Sequence, residues 1–481
     1  MINVPRHRLW PLMVLYTIPA VIWLAFAHWL VPPIIDAAYH GRGPEPLNRF
    51  FRARQPHPVE HYFHLWDDLA TAVLIAGALH LAFVLFVRRL DRAIETNREA
   101  IRASRWLVVV AAAFLAATLV SGPRHDYVAD LEIWSVVLRG DDPWWIMPEK
   151  GVPLHAYGPL FNALALPAAL NPLLPKLLFA FAYLATVAWL VKGVGPRRGL
   201  VGLPWAGRIA WLANPFVWVE IAYFGHWDIL VAVACVAAVH ERSRGRDVAA
   251  GSWLAAGILL KYLPVVIVPF VAVEGRRVRW RLLLAAALAT GVGLALSRLV
   301  WGPSTFRAIT YGAGRPSTLL SIFRFLRGAY SPLRFAFDAP NVDALALPCL
   351  ALAGLAVFAW CWTRRAGPAA GSLLAVLATL LFYRVGFPQY QVVPLMLASY
   401  WVVAERRPGR DPFLAAALGL YFGWLALFDL FYALVGGVLH PGDRFAWVED
   451  VVGLPTFLLG VALLVAIARE AGRESSGAIP P

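Results

Sequence analysis

The sequence predicts an all-α, polytopic integral membrane protein of 12–14 transmembrane helices. Three observations lead there. Of its 481 residues 60% are hydrophobic and only 15% are charged, against roughly 45–50% and about 25% in soluble domains. The mean hydropathy is +0.63, and one soluble core cannot hide that much apolar surface. The apolar residues also fall in blocks separated by short basic turns, as spans of about 20 residues do.

Taken in order, the blocks place spans near 9–31, 65–87, 105–121, 173–191, 204–222 and 227–241, then 281–300, 344–362, 369–383, 391–404, 412–433 and 451–468. The first has a basic head but runs on to Val31 without a small-x-small cleavage site, so it reads as a retained span. Between the sixth and seventh, 247–260 and 263–273 are short and separated by Lys261 and Pro264. A charge and a proline both interrupt a membrane helix, so this pair reads as broken or re-entrant. Segment 158–171 is read as lying along or dipping into the outer interface, because a full crossing there would move Lys192 to Arg198 outside.

The formal charge of +14 is spread over short loops, with no basic stripe or motif for nucleic acid. The pairs Arg88-Arg89, Arg197-Arg198, Arg276-Arg277, Arg364-Arg365 and Arg406-Arg407, with Arg242 and Arg244, fall on one side of this count. That side is the cytoplasm, with both termini, by the positive-inside rule. The long loops 32–64, 122–172 and 301–343 are then extracytoplasmic. Near that face gather Asp126, Glu220, Asp228, Lys261, Arg298, Arg384 and Asp429. Ionisable groups beside a bilayer are costly, so their grouping suggests a shared site, although each can also simply reach interfacial water. Cys235, Cys349 and Cys361 lie in apolar runs and form no disulfide or zinc pattern.

The loop GPRHDYVADLEIWSVVLRGDDPWW carries Asp126, Asp130 and Glu132. Asp126 and Asp130, at i and i+4, share a helical face. A carboxylate here can act as general base towards a hydroxyl, bind a metal or cap a helix. Trp134, Trp144 and Trp145 suit an interfacial belt or a sugar platform. Lys261 at the helix break and Arg315 in YGAGRPSTLLSIFRFLRG are candidate phosphate contacts, with Arg324 and Arg327 as substitutes for Arg315. Snorkelling and lipid headgroups explain the same cations without a site. His226-Trp227-Asp228 sits between two spans, where His226 holds a substrate hydroxyl or caps a helix with Asp228. Gln389-Tyr390 sits between two others, as a groove lining. His57, Glu60, His61 and His64 could gather a metal, but Pro58 breaks the ligand spacing.

An ordered series of motifs now carries a resemblance. Asp126-Tyr127 is followed by Gly140-Asp141-Asp142-Pro143-Trp144, Tyr157-Gly158-Pro159-Leu160, Ala213-Asn214-Pro215 and Gly225-His226-Trp227-Asp228. Then come Gly257 to Pro264, Arg315-Pro316-Ser317 and Pro388-Gln389-Tyr390. The series resembles the GT-C glycosyltransferases of the PIG-M and bacterial polyprenol-phosphate-mannose type. The resemblance covers residues 105–468 as a GT-C-like catalytic core, leaving 1–104 as a two-span extension and 469–481 as a cytoplasmic tail.

It implies an inverting membrane glycosyltransferase at the extracytoplasmic face of the inner or plasma membrane. The donor would be a polyprenyl-phosphate hexose, mannose by the likeness, and the acceptor a glycolipid, glycan or protein. Asp126 matches the catalytic aspartate. From the residues themselves Lys261 and Arg315 take the donor phosphate and His226, Gln389 and Tyr390 contact substrate, while the matching motifs imply Tyr127 and Asp228 as further substrate contacts. PIG-M-like enzymes show Asp-x-Asp where this chain reads Arg124-His125-Asp126, so a divalent cation held by such a pair loses one ligand. No other cofactor is implied. The competing expectations are a lipid-linked sugar flippase or secondary transporter, and a non-catalytic partner in polymer assembly. Transporters usually show related halves and midplane charges; no internal repeat stands out here.

Overall fold

A computed structural model describes residues 100–124, 126–147, 152–153, 155–192, 214–275, 277–328, 339–404, 412–434 and 452–476. The expected spans 9–31 and 65–87, most of 204–222, and the histidine group at 57–64 lie outside the described residues.

Twelve helices carry the description: α1 (Ala100–Val120), α2 (Asp126–Leu138), α3 (Leu174–Lys192), α4 (Asp228–Ser243), α5 (Asp247–Leu260) and α6 (Trp280–Trp301), followed by α7 (Arg307–Gly314), α8 (Ala339–Arg364), α9 (Pro368–Phe382), α10 (Val392–Ala404), α11 (Pro412–Leu434) and α12 (Gly453–Ser476). Strand structure among the described residues is confined to two-residue bridges. The chain is an all-α membrane protein.

Three stretches are long and apolar enough to cross a membrane: Trp280–Gly312, Val342–Arg364 and Gly453–Arg473. A fourth arises if Pro159–Leu170 and Leu174–Leu190 make one span, but they meet at 115°. That sharp turn puts 159–170 across the direction of α3, the course expected of a segment along an interface. Shorter apolar helices, such as Asp247–Leu260 and Pro368–Phe382, complete the bundle. The first qualifying stretch continues past the expected end at 300, through a 3₁₀ turn at Gly302–Phe306 into α7. Likewise α12 runs to Ser476, into the region read as a tail.

Position in the bundle follows from which helix faces are apolar. In α9 every residue from Ala369 to Leu381 is buried, so this helix is apolar all round and sits at the centre. It packs against α8, α10 and α12, and α10 packs on α4. On α6, by contrast, Leu284, Leu288, Val292, Leu296 and Leu299 are exposed in a stripe with nearly helical spacing. A stripe of that kind, uncovered by the bundle, suits hydrocarbon.

The helices α1, α5, α7, α9 and α11 end towards the site described next, while α4 and α10 begin there. The break between α5 and the next helical turn falls at Lys261, whose backbone is extended, and Pro264 opens the 3₁₀ turn Leu263–Ile267.

Candidate active site

A cavity of about 320 Å³ opens at that end of the bundle. It is lined by Asp126 and Asp130 of α2, by His155 and Tyr157, by Glu220 and His226, by Arg315 and Arg324, by Gln389 and Tyr390, and by Asp429 of α11.

The first wall begins at α2, where Asp126 is the first residue and Asp130 lies one turn on. Glu132, off that face, is exposed. Lys176 fixes α2 against its neighbours. Its buried Nζ donates to Ser121 Oγ (2.6 Å), the Gly122 carbonyl (2.7 Å) and the Tyr223 carbonyl (2.8 Å). The loop entering α2 is thereby tied to the turn after residue 223.

That turn follows a π-helical stretch, Trp218–Tyr223, which carries Glu220. Such wide turns are rare and occur frequently at functional sites. Gly225 then takes φ of +78°, and a Cβ there would press on the Lys176 side chain at 3.0 Å, so glycine is required on both counts. The chain reverses and presents His226 to the cavity. Its Nδ1 donates to Glu220 Oε2 at 2.6 Å. Its Nε2 lies 3.5 Å from Asp126 Oδ2, a charge contact rather than a formed hydrogen bond. Burial pulls the His226 pKa down, but the Glu220 charge and the contacts with Asp126 and Glu220 outweigh it and lift it to about 10. At neutral pH the ring is therefore an imidazolium held between two acids. Glu220 also lies close to Asp429 of α11. Asp126 is the accessible member, with its side chain 43% exposed, and Gln389 Nε2 donates to it at 3.4 Å.

The second wall is the loop after α7. Residues Thr318–Leu319 pair in parallel with Val385–Gly386. The Thr318 and Leu320 N–H groups donate to the carbonyls of Arg384 and Gly386, each at 2.9 Å. Tyr383 Oη donates to the Gly312 carbonyl at 3.1 Å. These bonds dock Arg315 beside Gln389 and Tyr390. The Arg315 guanidinium lies 5.2 Å from the Phe387 ring centre and 5.5 Å from that of Tyr311. Arg327 does not reach the cavity. It braces the loop, bonding the Ser317 side chain and carbonyl and pairing with Asp343 at 3.4 Å.

Lys261 sits one layer behind. It is buried in an ion pair with Asp228, and its Nζ lies 3.6 Å from the centre of the Tyr390 ring and 5.1 Å from that of Trp227. Neither Lys261 nor Asp228 lines the cavity; the pair supports Tyr390, which does. The Tyr157 motif locks this floor in place: Gly158 N–H donates to the Leu260 carbonyl at 3.0 Å. A Cβ on Gly158 would meet the Leu259 carbonyl oxygen at 2.2 Å, so only glycine lets the two segments approach this closely.

Of the residues singled out from sequence, Asp126, Arg315, His226, Gln389 and Tyr390 meet at one cavity, with Lys261 and Asp228 beneath it. Tyr127 turns the other way. It is fully buried against Trp134 and Phe179, and its hydroxyl bonds the Pro172 carbonyl. The tryptophans of the same loop also correct the belt-or-platform expectation. Trp134 and Trp144 are fully buried, donating to the carbonyls of Phe161 (3.2 Å) and Tyr157 (3.1 Å), and only Trp145 is exposed. Arg124, where a second aspartate would stand, donates to the Ser121 carbonyl and offers no metal ligand. No group of three or more metal-ligating side chains occurs among the described residues. Sequence reading missed His155, Tyr311 and Phe387; His155 stands two residues before the Tyr157 motif, its only signal.

Residues 155–385, a little under half of the chain, match the family model described as Glycosyltransferase family 87. The matched stretch contains His155, Tyr157, Glu220, His226, Lys261 and Arg315. No curated protein and no solved structure matches.

Proposed function

We propose that this membrane glycosyltransferase moves a hexose from a polyprenyl-phosphate donor to an acceptor hydroxyl at the extracytoplasmic face, by a single inverting displacement. The observation that carries the reading is that Asp126 and Arg315 line one cavity. Transfer from a sugar phosphate needs a base for the incoming hydroxyl and a cation for the departing phosphate, and these two groups supply that pair of functions.

In the proposed step the acceptor O–H gives its proton to the Asp126 carboxylate as its oxygen bonds the anomeric carbon. The bond from that carbon to the phosphate oxygen breaks, and the polyprenyl phosphate departs with the electron pair. The Arg315 guanidinium, a planar fork suited to phosphate, takes the developing charge. Arg324 lines the same wall. His226, clamped by Glu220, and Gln389 orient Asp126. The phosphate role goes to Arg315 rather than Lys261, because Asp228 already neutralises the lysine. A cavity near the lower end of the roughly 300–1,000 Å³ usual for ligand sites suits a sugar unit, with the lipid chain left outside. Mannose is the sugar the sequence resemblance favours, and a glycolipid, glycan or protein the acceptor.

The test is to incubate the purified protein with radiolabelled polyprenyl-phosphate hexoses and a panel of acceptors. The reading expects label to pass from at least one donor with inversion at the anomeric carbon. Uptake of lipid-linked sugar into sealed vesicles with no product would favour a flippase instead.

A further inference from the structure

We infer that the end of the cavity between α2 and residues 155–158 is a sugar-hydroxyl subsite, read by Asp130 and His155. The inference rests on the glycosyltransferase reading for the class of ligand, a hexopyranose, and assigns two residues no role above uses.

Asp130 lines the cavity one helical turn beyond Asp126, yet it is only 3% exposed. Among the acids nearby, Glu220 is held by His226 and Asp228 by Lys261. The Asp130 side chain has no hydrogen-bond partner among the described residues. An unmade hydrogen bond on a buried polar group costs free energy, and a ligand hydroxyl removes that cost. Burial first, and then repulsion from Asp126, hold the Asp130 carboxyl well above the usual carboxylate range. A carboxyl that keeps its proton both donates and accepts, as a sugar hydroxyl does.

His155 repeats the pattern with the opposite polarity. It is 4% exposed, and its Nδ1 accepts from the Tyr157 N–H at 3.1 Å. Burial pushes its pKa down to about 3, so the ring is neutral and the proton sits on Nε2. That Nε2–H is shut from solvent and has no partner. Packing against Trp144 and Phe161 prevents the ring from turning to find one. Asp130 and His155 thus line the same cavity, with the Tyr157 ring beside His155. Ile133, one turn beyond Asp130, adds an apolar lining suited to the C–H face of a sugar.

The hydroxyls read here belong either to the transferred hexose or to the acceptor, and the experiment separates the two. Saturation-transfer NMR on the full chain in lipid nanodiscs reads binding of methyl hexopyranosides and their monodeoxy analogues without need of turnover. Steady-state kinetics then varies donor and acceptor in turn. Asp130→Leu and His155→Phe are each expected to weaken hexoside binding by about fivefold, the worth of one neutral hydrogen bond. One deoxy analogue should bind wild type and Asp130→Leu alike. Asp130→Asn, which keeps a donor and an acceptor, should retain most binding and shows that the site still folds. KM should rise for the substrate whose sugar is read, leaving the other unchanged. Hexoside binding that is absent in wild type, or unchanged in both Asp130→Leu and His155→Phe, overturns the inference. Loss of binding in those variants alongside a wild type that transfers nothing would keep the subsite and remove the transferase reading.

Discussion

Around the cavity, Asp126, Asp130, Glu220 and Asp429 of one set of segments bring carboxyl groups together, with one imidazolium among them, while the loop after α7 brings Arg315 and Arg324. The acid wall is built inside the bundle, on α2, a π-helical turn and α11, so most of it is buried, and Glu220 and His226 are bonded to each other. The cationic wall is a loop zipped to residues 383–386 by backbone bonds, with Arg315 only half-buried. A buried network fixes the geometry of a base, whereas a loop cation remains accessible to a phosphate arriving from the membrane. The two walls therefore differ in what a substitution removes: a set geometry on one side, a charge on the other.

The largest effect is expected where the acid wall meets substrate. Asp126→Ala should lower transfer by about 10²–10⁴-fold, the usual worth of a general base. Its half-exposed side chain is not a core element, so size-exclusion profile and thermal unfolding should stay near wild type. On the cationic wall, Arg315→Ala should cost about 10²–10³ in kcat, as loss of a charge-stabilising donor does. Arg315→Lys should recover part of this, because a point charge lacks the planar fork. Equal activity in Arg315→Ala would leave the cationic wall without its proposed function.

Lys261 sharpens the contrast, since it is a cation placed like those of the acid wall. Lys261→Met leaves Asp228 buried and unpaired and should lower stability by about 3–5 kcal/mol, read by thermal or denaturant unfolding. The double change with Asp228→Asn should restore much of that loss. A Lys261→Met protein of normal stability that has lost donor binding would instead return the lysine to the phosphate.

The smallest effect is a pH dependence. The His226 pKa is raised from 6.5 to about 10 in the folded chain, so the imidazolium contributes stability fully below about 6.5. That contribution falls as pH rises and is gone once pH passes about 10. The stability gap between wild type and His226→Gln should shrink across this window. A gap that widens with pH would mean the ring is neutral in the fold.

Much of the bundle was legible because a membrane helix announces itself by a long apolar run. Expected spans at 173–191, 281–300, 369–383 and 391–404 lie within a residue or two of helices α3, α6, α9 and α10. Lys261 and Pro264 marked the break after α5 by the same physics that makes a charge and a proline costly in a helix. Direction was harder to read. Nearly every face of α9 is apolar, so its sequence does not say which side it turns to which neighbour. Tyr127 adjoins Asp126 in sequence, yet a step of about 100° around the helix sends it into the core. Lys261 looked like a free cation because its neutraliser, Asp228, is remote in sequence. Asp130 was visible at i+4 from Asp126, but its lack of a partner is a fact of three dimensions. His155 lies in a loop with no periodic pattern, so neither its burial nor its tautomer could be read.

The most direct test is a structure of the protein with a polyprenyl-phosphate hexose bound. The account predicts the phosphate within hydrogen-bonding distance of the Arg315 guanidinium and the anomeric carbon turned towards Asp126. A phosphate seated on Lys261, or a sugar bound at the opposite end of the bundle, would contradict it.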